Sequence, residues 1–124
     1  MVATQPVSGI LGPLEAEVMA VLWSRGKPMT VREVRADVNA ARETPLAYTT
    51  VMTVLARLAE KGILSRVREG RGYRYEPLVG DTAGIAVREV IRDFGEAAMA
   101  GFLDEARADP KLLRRLRALM AEGP

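Results

Sequence analysis

The side chains best suited to a chemical task in this sequence are the basic ones between Tyr48 and Glu76. That segment holds six Lys or Arg residues and three Glu residues, a net charge of +3, whereas the whole 124-residue chain carries +2. Guanidinium and ammonium groups bind phosphate, so this concentration favours a nucleic-acid partner. The basic residues are Arg57, Lys61, Arg66, Arg68, Arg71 and Arg74.

The absence of two residue types excludes most other chemistry. The chain has no Cys and no His, which removes disulfides, thiolate nucleophiles, zinc knuckles and imidazole bases. No paired catalytic motif is visible among the remaining polar residues, so we expect neither an enzyme nor a bound metal or cofactor. Apolar stretches are short and the N-terminus lacks a basic n-region, so we expect no membrane insertion, no signal peptide and a cytoplasmic location.

Two short helices are predicted ahead of the basic segment. Pro13 suits the first position of the first helix, because its missing N–H would have no partner there. Thr30 and Glu33 form a T-x-x-E capping box at the start of the second helix. Pro45 keeps the connection at 42–46 out of helix. The apolar side of the first helix is Leu14, Val18, Val21 and Leu22, with Trp23 expected in the same core.

A third helix is predicted from about Tyr48 to Lys61, and Gly62 is suited to end it. Its buried side follows from apolar residues at i, i+3, i+4 and i+7. The polar side chains of its leading half are left off that stripe and free for another role. The apolar stripe consists of Val51, Val54, Leu55 and Leu58.

Beyond the third helix the pattern changes to that of a β-hairpin. Residues 63–68 and 73–76 read as two strands, joined by a glycine-bearing turn at 69–72. We expect the arginines of this hairpin on one surface and at its tip. Tyr73 and Tyr75 are expected in its core rather than as base-stacking platforms.

The order helix, helix, turn, helix, hairpin is that of a winged helix-turn-helix domain. We therefore predict a mainly α fold with a small β-hairpin wing (α+β). The third helix can enter a major groove, where hydroxyls meet phosphates or base edges and methyl groups meet thymine, while the wing at 64–76 reaches the flanking DNA. The predicted DNA-binding residues are Tyr48, Thr49, Thr50, Met52, Thr53, Arg57, Arg68, Arg71 and Arg74.

The C-terminal part is predicted to be a helical dimerisation domain. We divide the chain into a flexible arm (1–12), the winged helix domain (13–79) and this domain (80–124). A segment of these 45 residues is near the lower size limit for an independent core, so pairing with a second copy would bury the surplus apolar surface. Packing on the winged domain of the same chain is the alternative. The expected interface residues are Val90, Ile91, Phe94, Phe102, Leu103, Leu112, Leu116 and Leu119.

Four separated segments within residues 11–79 resemble one family, the BlaI/MecI/CopY or penicillinase repressors. Residues 46–62, LAYTTVMTVLARLAEKG, are similar to that family's recognition helix. Leu14-Glu15-x-x-Val18-Met19 with Leu22-Trp23, Thr30–Val34, and Arg71-x-Tyr73-x-Tyr75-x-Pro77 resemble its first two helices and its wing. The resemblance implies a homodimeric transcriptional repressor that binds a two-fold-symmetric DNA operator.

The resemblance also implies how repression ends. In β-lactam-responsive members a membrane sensor protease, or its effector, triggers cleavage at an Asn-Phe bond in the C-terminal helices. The nearest counterpart here is Gly101-Phe102, which has the Phe but not the Asn. Copper-responsive members use a cysteine cluster that this chain lacks, so the inducing signal stays open. The alternative function is a winged-helix protein–protein adaptor that binds no DNA, although an adaptor has no need of three wing arginines.

Overall fold

The first three helices begin where local signals place them in the computed structural model, which describes residues 10–123. Pro13 is the first residue of α1, as predicted. The predicted capping box of α2 is confirmed, since the Glu33 N–H donates to Thr30 Oγ1 at 3.2 Å and the Thr30 N–H donates to the Glu33 carboxylate at 2.9 Å. The three helices are α1 (Pro13–Arg25), α2 (Val31–Ala40) and α3 (Tyr48–Glu60).

A three-stranded antiparallel sheet includes one strand that the sequence did not predict. The strands are β1 (Met29–Thr30), β2 (Leu64–Glu69) and β3 (Gly72–Pro77), in the order β1-β3-β2. Two residues are too few to show a strand period, and β1 exists only through its pairing with β3. Thr30 is thus the end of a strand and the cap of α2 at once, with no loop between them.

The helices and the sheet enclose one core. Leu22 of α1, Val34 of α2 and Leu55 of α3 are all fully buried, and Leu64 and Tyr75 of the sheet lie in the same cluster. Trp23 packs against this cluster as expected, and its Nε1 donates to the carbonyl of Val79 at 2.8 Å. Ile10 and Leu11, the last apolar residues of the predicted arm, also pack there, while residues 1–9 lie outside the described residues.

The chain divides into two compact units, with the boundary between Ala86 and Val87. The sequence placed the division between 79 and 80. The later boundary falls inside α4 (Thr82–Phe94), because Ile85 is fully buried in the core of the first unit.

The second unit is made of helices with few buried side chains. It consists of the last part of α4, followed by α5 (Glu96–Ala108) and α6 (Pro110–Glu122). The helices α5 and α6 pack against each other. Gly95 breaks the helix as predicted, with φ +58. Asp109 is confirmed as the cap of α6, since its Oδ1 accepts from the Lys111 N–H at 2.9 Å. Within the described residues of this unit only small side chains, those of Ala98 and Ala106, are buried.

Candidate nucleic-acid interface

The outward side of α3 is lined by side chains that the core does not use. Val51, Leu55 and Leu58 are fully buried on the opposite side, as their spacing predicts. Tyr48 and Met52 are 46% and 42% exposed, although both are large and partly apolar. The remaining predicted contact residues of this helix are Thr49, Thr53 and Arg57, all exposed, and Thr50, which is half-buried.

The entry to α3 is fixed by a residue that sequence reasoning missed. Asn39, near the end of α2, accepts from the Leu46 N–H at 2.8 Å and donates to the Leu46 carbonyl at 3.1 Å. Arg35 donates to the same carbonyl at 3.0 Å. These bonds span a connection of seven residues between the two helices, so no short motif announces them. They set the position from which α3 starts.

Ion pairs hold the helices around α3. Arg42, in the connection, donates to both carboxylate oxygens of Glu17 at 2.9 and 2.8 Å. At the other end of α3, Lys61 contacts Glu15 at 3.1 Å.

The start of α3 has no side-chain cap on its N–H groups, since its N-cap residue is Ala47. Uncapped N–H groups at a helix start are suited to a phosphate oxygen.

The wing arginines lie on both faces of the hairpin, so the expectation that they share one surface is wrong. Successive side chains of a strand alternate between faces, and Arg68 pairs with Tyr73 whereas Arg74 pairs with Val67. We call the face that carries Leu64 and Tyr75, which is buried on the core at its base, the inner face. The opposite face is the outer face. Arg66 and Arg68 belong to the inner face, Arg74 to the outer face, and Arg71 to the turn.

Arg74 is held by acidic neighbours. Its guanidinium forms ion pairs with Glu69 and, at 3.2 Å, with Glu33. The hydrogen bond with Glu69 raises the pKa of Arg74 above its ordinary value. The pKa of Glu33 is lowered, first by the hydrogen bond from the Thr30 backbone and also by the charge of Arg74. This predicted DNA-binding residue therefore joins β3 to the start of α2.

The other arginines of this region keep their charge uncompensated. Within residues 10–123, Arg57, Arg66, Arg68 and Arg71 form no ion pair. All four are exposed. Arg66 was not among the predicted contacts, although its spacing of two from Arg68 places both on one strand face. These four side chains therefore place uncompensated positive charge on α3 and on the wing that follows it in the chain.

Two features are absent from the part of the chain that the structure describes. No helix there is both long and apolar enough to cross a bilayer. No three acidic side chains gather there into a group that could hold a metal ion.

A helix-turn-helix whose outer helix presents small polar side chains, followed at once by a basic hairpin, defines the winged helix class of DNA-binding domains. The predicted fold class is thereby confirmed. Residues 11–122 match the family described as Penicillinase repressor. The chain belongs to the penicillinase repressor family, a family of transcriptional repressors rather than enzymes.

Known proteins agree with this assignment. The transcriptional regulator BlaI of Mycobacterium tuberculosis is 43% identical over 121 residues, which cover 91% of this chain and 86% of that protein. The solution structure of the DNA binding domain of the repressor BlaI superimposes with a TM-score of 0.51 at 26% identity, covering 64% of this chain and 92% of that one. A complex structure of hsRosR-S4 matches with a TM-score of 0.54 at 14% identity, covering 94% and 90% of the two chains, and shows the shared fold alone.

Proposed function

We propose that the protein is a dimeric, sequence-specific DNA-binding transcriptional repressor. The observation that carries the proposal is the surface formed by the outward side of α3 and the unpaired arginines of the wing. Family membership supports the repressor function, and the 43% identical relative is itself a transcriptional regulator. The operator is two-fold symmetric, because two copies of one reader bind two copies of one half-site.

The leading half of α3 selects the sequence. A major groove admits one helix, and short side chains let the helix approach the base edges closely. Thr49 and Thr53 offer hydroxyl and methyl groups, and the exposed Met52 offers an apolar contact for a thymine methyl. Arg57 lies one turn further along and binds a phosphate.

The wing supplies affinity without sequence choice. Arg71, exposed at the turn, and the inner-face arginines neutralise phosphates beside the groove that α3 occupies. Each such contact releases counterions, so binding weakens steeply as salt rises. Arg74 is left out of this contact set because its charge is already matched by Glu33 and Glu69.

The second unit joins two copies. All but one of the predicted interface residues are exposed in the single chain, among them Phe94 at 67% and Leu112 at 53%; Leu116 is half-buried. Apolar surface of this extent is stabilised by burial against a partner. A second copy is the partner that a two-fold operator requires.

Repression ends when the two copies are no longer joined, either through proteolysis in the second unit or through another signal. Gly101 and Phe102 are both exposed on α5. A protease needs an extended segment, and a glycine inside a helix lowers the free energy needed to unwind it by about 1 kcal/mol relative to Ala. A membrane sensor protease or its effector is the partner that this route requires.

The salt dependence of DNA binding tests the proposal against the adaptor alternative. Operator fragments selected from random DNA should bind the full chain, with log K falling linearly against log salt. Arg71→Ala should reduce that slope by about one unit and weaken all sequences alike. Arg117→Ala, which removes the same charge from α6, should leave the slope unchanged. A chain that selects no DNA would instead be an adaptor.

A further inference from the structure

We propose that Tyr73 is a positioning residue for DNA binding, which holds Arg66 and Arg68 side by side on the inner face of the wing as a phosphate-binding pair. The inference rests on the proposed function and adds Arg66 and Tyr73, which were not predicted to take part in DNA binding, to the predicted contact Arg68.

The first observation is a stack of three side chains. The Cζ atom of Arg66 lies 4.5 Å from the centre of the Tyr73 ring, and that of Arg68 lies 5.7 Å from it. Both distances are within the range of cation–π attraction. The register explains the geometry, because Arg68 is directly opposite Tyr73 and Arg66 is opposite its neighbour Tyr75 on the same face.

The second observation is the separation of charge between the two faces. The outer face carries Glu69 and Glu76 together with Arg74. The inner face of β2 and β3 carries Arg66 and Arg68 and no carboxylate. A pair of arginines whose only described partner is an aromatic ring keeps its full charge for a ligand of opposite sign.

The third observation is where the inner face lies. Its base, at Leu64 and Tyr75, is buried in the same core cluster as Leu55 and Leu58 of α3. Beyond that base the strands extend past the core, so Arg66 and Arg68 are exposed on the side of the sheet that covers the helices. DNA that meets α3 therefore meets this face of the wing and not the outer one.

The ring makes the pair effective by ordering it. A free arginine side chain loses rotamer freedom when it binds a phosphate, and this loss opposes binding. A guanidinium that already rests on an aromatic face has lost part of that freedom before the DNA arrives. Because Tyr73 is half-buried and next to the buried Tyr75, with ring centres 6.3 Å apart, its own position is fixed by the hairpin.

A double-mutant cycle on the full chain tests the assignment, with a mixed-sequence DNA duplex as the probe. Tyr73→Leu should raise Kd roughly three- to tenfold, and Tyr73→Phe, which keeps the ring, should restore binding to nearly the original Kd. In the Tyr73→Leu background, Arg66→Ala should have a much smaller effect than it has alone. Arg71→Ala is the matched control, because its effect should multiply with that of Tyr73→Leu.

Two results would overturn the inference while leaving the proposed function in place. One is an unchanged Kd in Tyr73→Leu; the other is that its effect multiplies with that of Arg66→Ala as it does with Arg71→Ala.

Should circular dichroism show that Tyr73→Leu is unfolded, Arg66→Lys decides, since it keeps the charge but loses the planar stack. It should raise Kd with no change in salt slope, and an unchanged Kd contradicts the proposal. Failure of the unaltered chain to bind DNA would defeat the proposed function itself.

Discussion

The side chain of Thr53 is exposed at the middle of α3 and takes no part in the core, so it is available to contact a base. We predict that Thr53→Ala relaxes the preference at one base pair in each half-site, with a loss of about 1–3 kcal/mol for the preferred base. The measurement is selection from random DNA with the two proteins in parallel.

Ser24→Ala serves as the control for this substitution, since it removes an exposed hydroxyl from α1 instead. It should return the same selected sequence as the unaltered chain. If Thr53→Ala also returned that sequence, base recognition would have to be assigned to Thr49, Thr50 or Met52.

The sequence predicts the roles of some single residues but not of others. The buried and exposed sides of α3 could be predicted, because both depend on a periodicity within one element. The role of Arg74 could not, since its partners Glu69 and Glu33 come together only when β3 pairs with β2 and β1. A count of charges along the chain treats Arg74 and Arg71 alike. In the fold, Arg74 is neutralised by its acidic neighbours, whereas Arg71 forms no ion pair.

At the scale of elements, the position of α3 depends on the bonds that Asn39 makes to Leu46. Asn39→Ala leaves the N–H of the half-buried Leu46 without its partner. This loss should lower the free energy of unfolding by about 1–3 kcal/mol. Because α3 then starts less rigidly, DNA affinity should fall for all sequences alike. Chemical denaturation and a binding titration measure the two effects.

Glu43→Ala is the matched control in the same connection, since the Glu43 side chain is exposed. It should leave the unfolding midpoint unchanged. An Asn39→Ala variant as stable as the unaltered chain would show that Arg35 alone holds Leu46.

A second prediction at this scale concerns acid. Arg25 donates to both oxygens of Asp37 at 2.5 and 2.9 Å, which joins α1 to α2, and this hydrogen bonding lowers the pKa of Asp37. A carboxyl whose pKa is lower in the folded chain stabilises the fold above its unfolded value of ~3.9 and loses that contribution as the pH falls through the folded value. Thermal unfolding should therefore move to lower temperature below about pH 4.

Asp37→Asn should weaken this dependence on pH, because it removes the group that titrates. Asp104→Asn, an exposed position on α5, should leave the acid profile as it is. Identical profiles for the Asp37→Asn variant and the unaltered chain would exclude the Arg25 pair as a source of acid sensitivity.

The elements themselves were largely predictable, for reasons that differ between them. Pro13, the Thr30–Glu33 box and Asp109 are local signals, so the helix starts follow from a few neighbouring residues. The strand β1 has no such signal, because it consists of two residues that become a strand only against β3. Asn39 was missed for the same reason, since its partner lies seven residues away across an irregular connection.

At the scale of the whole molecule, repression is expected to require two linked chains. Leu112, exposed on α6, is one of the proposed interface residues. Leu112→Glu should convert a particle of twice the 13.5 kDa protomer mass into one of that mass, measured by sedimentation equilibrium. Affinity for a two-fold operator should then fall by at least about 10²-fold, because the second half-site is no longer held at high effective concentration.

Arg114→Gln provides the control on the polar side of the same helix and should remain a dimer. A variant Leu112→Glu that still sedimented at twice the protomer mass would move the interface away from α6. Monomeric protein with undiminished operator affinity would mean that dimerisation is not part of repression.

The two faces of the wing also have a practical use for spectroscopy. Val67 is 66% exposed on the outer face, away from the stacked arginines, and the chain has no native thiol. Val67→Cys would therefore introduce a single attachment point for a fluorophore, next to the proposed contact surface but not within it. Energy transfer from such a dye to labelled DNA would follow the docking of the wing in real time, separately from the arrival of α3 in its groove.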